Sequence, residues 1–261
     1  MTAALPLRAV LLDMGGVLLE MHNESGLPEG EADAAGRTEL LALLRERGGR
    51  AEEGDFGSDL ERLLFTPWRA EYRLRYERQR EAEWGPHVER LIAATGARVS
   101  PDEVLAAWFR PYGEGLRPLP GAAATLRELR ARGLALGLVS NVALPGELYR
   151  RRLGALGLIE PGLIEAGLAE PFGVFRFSHD EGSRKPAPAM LLSALVALGA
   201  KPAEAVMVGD RKKSDVAAGR AAGTRTIWLR SHHAEGPAPD ATIDSLAELP
   251  AALAALAARL Q

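Results

Sequence analysis

Four short stretches carry residue types suited to chemistry at phosphorus: Asp13-Met14-Gly15-Gly16-Val17, Ser140-Asn141, Arg184-Lys185-Pro186, and Gly209-Asp210 with Asp215 five residues further on. A carboxylate can attack phosphorus and form an acyl phosphate. A hard cation held by carboxylate oxygens offsets the repulsion between that nucleophile and an anionic substrate. A lysine and a hydroxyl can hold the remaining phosphate oxygens as charge develops. Backbone N–H groups at a glycine turn, such as that of Gly16, can meet the same oxygens. Each stretch alone has a plainer reading. Asp13 would be a turn acid, Ser140-Asn141 a turn, Pro186 a helix start and Asp215 a first-turn acid favoured by the helix dipole. Their joint occurrence is what points to a site.

The elements around them are expected to bring them together. Arg8 to Asp13 is a short apolar run feeding a glycine turn, which reads as a buried strand. Leu134 to Ser140, Val174 to Phe177, Ala205 to Gly209 and Thr224 to Leu229 read as four more strands. Helical patterns separate them: Ala122 to Arg132, Ala187 to Leu198, Ser214 to Ala222, and Leu249 to Leu260 with a leucine stripe at 249, 253, 256 and 260. Alternating strands and helices indicate a parallel, doubly wound α/β sheet, which binds ligands beyond the carboxyl ends of its strands. Asp13, Ser140 and Asp210 all fall at such ends.

Between the first two strands the chain is too long for a simple crossover and shows only helical patterns. These are Thr38–Arg47, Asp59–Phe65, Trp68–Glu83, Pro86–Thr95 and a helix opened by a capping box from Ser100 to Glu103. The block reads as an inserted helical subdomain. The polar stretch from Glu20 to Gly36 reads as a hinge, and Gly113 to Gly121 as the return linker.

The bulk properties exclude several function classes. The 261 residues carry a net charge of −3, so no bulk attraction to nucleic acid or anionic lipid is implied. The absence of cysteine excludes disulfides, thiolate nucleophiles and zinc–thiolate sites. No apolar run approaches the ~20 residues of a membrane span. The first seven residues lack a signal-peptide layout, which makes the cytoplasm the expected compartment.

In order and spacing, DMGGV, Ser140, RKP and GDRKKSD resemble the motifs of the haloacid dehalogenase-like superfamily. The resemblance implies a Rossmann-like core at 1–19 and 117–261 with a helical cap at 20–116. It implies Asp13 as nucleophile and metal ligand, the Gly15 carbonyl and Asp210 as further ligands, and Asp215 as a ligand, a water-mediated ligand or an anchor for Lys185. Ser140 and Lys185 would bind the transferring phosphoryl group, with Asn141 and Gly16 in the same pocket. The expected enzyme is a Mg²⁺-dependent phosphatase of a small phosphorylated metabolite, acting through an aspartyl phosphate, as a monomer or homodimer, without nucleic acid or membrane partners.

One position departs from the pattern. Phosphatases of this family usually carry an acid/base Asp two residues after the nucleophile; here it is Gly15. General acid–base catalysis is worth roughly 10²–10⁴-fold. A substitute acid such as Glu20 or His22, or a good leaving group, would be needed. A catalytically impaired binding or regulatory module is the alternative, and a dehalogenase-type hydrolase a further one, which the Asp210/Asp215 pair argues against. In the insert, Trp68, Tyr72 and Tyr76 are spaced as packing residues or pocket walls. The five arginines from Arg69 to Arg80 could hold a second anionic group on a substrate, but such a run is more often a solvated face, here partnered by Glu71, Glu77 and Glu81. His232-His233 reads as surface.

Overall fold

The chain's most uniformly apolar strand is also its most central. Ala9–Leu12 (β1) is fully buried and pairs in parallel with Ala135–Ser140 (β2) on one side and Ala205–Gly209 (β4) on the other. A strand covered on both faces has no reason to alternate polar and apolar residues. The computed structural model describes residues 7–21, 23, 26–50, 53–159 and 172–259. The sheet is completed by Val174–Phe177 (β3), Arg225–Leu229 (β5) and Ala241–Ile243 (β6), in the order β3-β2-β1-β4-β5-β6, all parallel. This is the Rossmann-like doubly wound order.

Successive β1 side chains serve opposite faces. Ala9 and Leu11 join a cluster with Met190, Leu191, Ala194 and Leu195, from the helix Ala189–Ala197, and with Ala218 and Ala222. Val10 and Leu12 join the larger cluster on the other face. There they meet Leu126 and Leu129 of the helix Ala122–Ala131 and Leu249, Leu253 and Leu256 of the closing helix Leu249–Ala258. The fourth leucine of that stripe, Leu260, lies outside the described residues.

Between β1 and β2, helices occupy Gly30–Glu46 (α1), Glu53–Leu60 (α2), Thr66–Tyr76 (α3), Gly85–Thr95 (α4) and Pro101–Gly115 (α5), with a wide turn at Glu61–Phe65. The Ser100 capping box forms as expected, with Glu103 N–H donating to Ser100 Oγ and Ser100 N–H to Glu103 Oε2.

Three expectations need correction. The hinge expected up to Gly36 is helical from Gly30, because α1 packs along α5. Gly36 lies against Trp108, whose indole N–H donates to Asp33 at 2.7 Å. That tertiary contact overrides a polar, glycine-rich composition. The helix expected to reach Glu83 stops at Tyr76, and Gln79 follows with φ 55°. The chain leaves the helix in a turn, and Arg80 then bridges to Ser183. The edge strand β6 and the helix Gly146–Ala155 have no counterpart in the pattern reading.

The insert's aromatics divide by depth. Trp68 and Trp84 stack at 4.1 Å and are buried with Trp108 and Phe109; Trp84 Nε1 also donates to the core at Ala143 O, and Phe109 meets the Tyr149 ring at 4.9 Å, so this cluster seals the helical block onto the core. Tyr72 and Tyr76 reach the core through Arg184. Arg184 donates to the Tyr72 hydroxyl at 2.7 Å and lies 4.3 Å from the centre of the Tyr76 ring.

Candidate active site

The parallel register sets the site. Leu12 lies opposite Leu138 and Val208, so Asp13, Ser140 and Asp210 leave three neighbouring strands at almost the same height. The Asp13 N–H donates to Val208 O at 2.9 Å, which ties the turn to β4. Two glycines permit the close approach that follows. A Cβ on Gly16, whose φ is +69°, would lie 2.6 Å from Asp210 Cγ, and a Cβ on Gly209 would overlap the Asp215 side chain.

Lys185 sits at the centre of the cluster. Its Nζ lies 3.0 Å from Asp13 Oδ1 and donates to Asp215 Oδ1 at 2.6 Å and to Val139 O at 2.8 Å. It is 2% exposed, and Asp215 is wholly buried. Burial alone would lower the lysine's pKa, but the Asp13 and Asp215 carboxylates outweigh it and hold the ammonium charged. The backbone around Lys185 is fixed by Asn141, which accepts from Lys185 N–H at 2.8 Å and donates to Lys185 O at 3.0 Å. Asn141 lines the cavity, yet both ends of its amide serve the lysine's main chain. Asp215 likewise uses its second oxygen, accepting from Arg211 N–H at 2.9 Å.

Asp210 is the unbalanced member. Its carbonyl accepts from Trp228 Nε1 and Ser231 Oγ, but its carboxylate Oδ1 is buried without a hydrogen-bond partner. Burial and the charges of Asp13 and Asp215 push its pKa up to about 8, and burial pushes that of Asp215 up to about 6 despite Lys185. One oxygen from each of Asp13, Asp210 and Asp215 falls within 4.8 Å of the others. Three crowded carboxylates facing one ammonium leave negative charge uncompensated. An all-oxygen set of this kind suits a hard divalent cation such as Mg²⁺.

Asp13, Asp210, Lys185 and Asn141 border a cavity of about 20 Å³ that also meets Gly15, Met21, Asn23, Ser140, Arg211 and Ser214. A Cβ on Gly15 would come within 3.2 Å of Met21 Cβ and Sδ, so a thioether covers the side of the site where position 15 lacks a side chain. Of the substitute acids considered, Glu20 is exposed and absent from this lining, and His22 lies outside the described residues. Arg211 stands in a basic run, Arg211-Lys212-Lys213, that reads from the sequence as positive potential near the mouth or as surface, and it lines the cavity. Met21 and Ser214 carried no signal beyond ordinary polarity or hydrophobicity, and only the fold identifies them as lining.

Two further readings of the sequence change. Glu81 is not on a solvated face. It is buried, accepts from Ser178 Oγ at 2.7 Å, and lies 3.3 Å from Arg184 Nη1, joining the helical block to the core next to Lys185. His232 is exposed, as expected, but both His232 and His233 line a second cavity of about 340 Å³ beside the first.

Comparison with known proteins agrees with this geometry. The chain is 38% identical over 179 residues to a phosphoserine phosphatase of Thermus thermophilus, covering 64% of this chain and 66% of that one. It is 32% identical over 155 residues to a pyrimidine 5'-nucleotidase of Escherichia coli, covering 58% and 63%. The matches thus span just under two thirds of these relatives' lengths. Among solved structures, a HAD phosphatase from Thermococcus onnurineus superposes with a TM-score of 0.56 at 24% identity, over 94% of this chain and 97% of that one. A 2-haloacid dehalogenase from Pseudomonas syringae does so at 0.57 and 24%, over 96% and 99%. Both likenesses concern the fold. The haloacid dehalogenase-like hydrolase profile matches residues 7–223, most of the sequence and all four motif stretches, and the chain belongs to that family.

Proposed function

We propose that the protein is a Mg²⁺-dependent phosphatase of a small phosphorylated metabolite, with Asp13 as nucleophile. The observation that carries this reading is Lys185 Nζ held between Asp13 and Asp215, beside the partnerless buried oxygen of Asp210. An ammonium fixed 3.0 Å from the nucleophile can also meet a phosphoryl oxygen arriving there. The phosphoserine and phosphoglycolate phosphatases to which the chain is similar support the same reaction class.

In this mechanism an Asp13 carboxylate oxygen attacks phosphorus, and the bond from phosphorus to the leaving oxygen breaks. Lys185 and Ser140 hold the transferring group; the Gly16 N–H, expected in the same cradle, is instead donated to Leu19 O at 2.9 Å. Water then attacks the aspartyl phosphate, releasing inorganic phosphate and restoring Asp13. Asp13, Asp210 and the Gly15 carbonyl would hold Mg²⁺, with Asp215 chiefly anchoring Lys185. When bound, the ion supplies charge that lets the carboxylate and the phosphate dianion approach. With Gly15 in place of an acid, the leaving oxygen departs with little help from that side, which favours substrates with acidic leaving groups. Residues 20–116 act as a cap whose closure excludes water.

The test is phosphate release from a broad ester panel with and without Mg²⁺, together with mass spectrometry of the trapped enzyme. Metal-dependent release and a phosphoryl adduct on Asp13 are expected. Ligand binding without any turnover would instead assign a regulatory module on this fold.

A further inference from the structure

The cavity of about 340 Å³ is lined by loops after β4 and β5 on one side, by Tyr76 and Gln79 of the helical block on the other, and by Arg184 to Pro186 below. It shares Lys185, Arg211 and Ser214 with the small cavity at Asp13. We propose that it is a second-anion subsite, receiving a carboxylate or phosphate carried by the leaving group while the transferring phosphoryl group sits at Asp13. This rests on the phosphatase reading and adds the substrate class.

The lining is unevenly charged. Among the described residues of the lining, Arg184, Lys185, Arg211 and Lys213 face one carboxylate, Glu235. Each of these cations already has a partner. Lys185 serves Asp13 and Asp215, and Arg184 serves Glu81 and Tyr72 while steadying the Tyr76 ring. Lys213 and Arg211 come from the turn after β4. Lys213 pairs with Glu235, but both ends are largely exposed, at 73% and 81%, and an exposed pair is weak enough to yield to an incoming anion. Arg211 lies where the two cavities meet, with Nη1 3.4 Å from His233 Nδ1.

Size and shape fit the same conclusion. The volume lies at the small end of ligand sites and suits a metabolite fragment rather than a macromolecule. A cleft walled by protein concentrates the field of its cations, which raises the local concentration of an anionic substrate. Tyr76 is 42% exposed and supplies an apolar wall from the helical block, so the subsite is complete only with that block in place.

The experiment compares kcat/KM of the full chain with Mg²⁺ for phenyl phosphate, 3-carboxyphenyl phosphate and 1,3-phenylene bisphosphate, whose leaving groups have similar acidity. A preference of about tenfold or more for an anionic member over phenyl phosphate is expected, from charge-assisted hydrogen bonding. The better of the two anionic esters tells carboxylate from phosphate. Lys213→Glu, a change at an exposed position that does not threaten folding, should cut that ratio at least about fivefold, and Arg211→Gln should cut it as well. Hydrolysis of all three esters at nearly equal efficiency would overturn the subsite and leave the phosphatase reading standing. So would a preference that survives both substitutions. Turnover of none of them would overturn the phosphatase reading and this proposal with it.

Discussion

The two adjoining cavities are built on opposite electrostatic principles. Around Asp13 the charges are buried, crowded and set by strand ends, and Lys185 and Asp215 are each held from more than one direction, while Asp210 keeps a partnerless oxygen. Around Lys213 and Glu235 they are exposed and loosely paired, and one wall belongs to a separate helical block. A buried charge that loses its partner costs far more than an exposed one. The first arrangement therefore suits a step that every substrate shares. The second can be altered cheaply, which suits selection among substrates. Arg211 and Lys185 belong to both cavities and mark where reaction and recognition meet.

The contrast can be broken most sharply at Asp13. Asp13→Asn should reduce phosphate release by on the order of 10⁴-fold or more while the protein stays folded, as read by a phosphate-release assay beside circular dichroism. Substantial residual turnover would mean that another group attacks phosphorus. Lys185→Met comes next. Its kcat should fall roughly 10²–10³-fold. Unlike any change around Lys213, it should also destabilise the fold by about 3–5 kcal/mol, because it leaves Asp13 and Asp215 without their buried cation. Urea unfolding measures this, and an unchanged midpoint would erase the distinction between the two regions.

A gain of function is the third expectation. Gly15→Asp combined with Met21→Ala, which clears the space the thioether occupies, should raise turnover of alkyl phosphates by about tenfold or more and flatten the dependence on leaving-group acidity. A Brønsted plot over aryl and alkyl esters is the measurement. The smallest effect concerns pH. Asp210 has a folded pKa raised to about 8 from an ordinary 3.8, so between those values the metal-free folded protein keeps a proton that the unfolded chain lacks. Its contribution to stability is complete below about pH 4 and is lost as pH rises toward 8. In EDTA the Tm should therefore fall from pH 6 to 9. The Tm gain on adding Mg²⁺ should grow over the same range, since the cation favours the ionised carboxylates. A Mg²⁺ effect independent of pH would argue that Asp210 does not hold the ion.

Strands and motif positions were legible because their signals are local. An apolar run ending in an acid and two glycines specifies a buried strand and a tight turn without outside help, and β3 and β4 fall at their expected bounds. The helical block was less legible at its edges. Gly30 to Gly36 is helical because Trp108 packs on it, and the helix gives way after Tyr76 to a turn whose end, Gln79 and Arg80, is held by the backbone of Arg184 and Ser183. No local pattern announces either. Glu81 shows the limit most clearly. Its spacing to neighbouring arginines matches a surface pair, yet its partners, Ser178 and Arg184, lie about a hundred residues away.

The sequence by itself determined which reactive groups exist and in what order: a strand-end carboxylate, a serine, a lysine and an acidic pair, with glycine where a proton donor is customary. Those are chain-local properties, carried by residue type and short-range pattern. Only the tertiary structure decided that Asp215 and Asn141 serve Lys185, that Met21 covers Gly15, and that Arg211, Lys213 and the two histidines border a second cavity. These depend on parallel pairing that levels three strand ends, and on loops that meet because β4 and β5 are neighbours. Spacing along the chain carries neither piece of information.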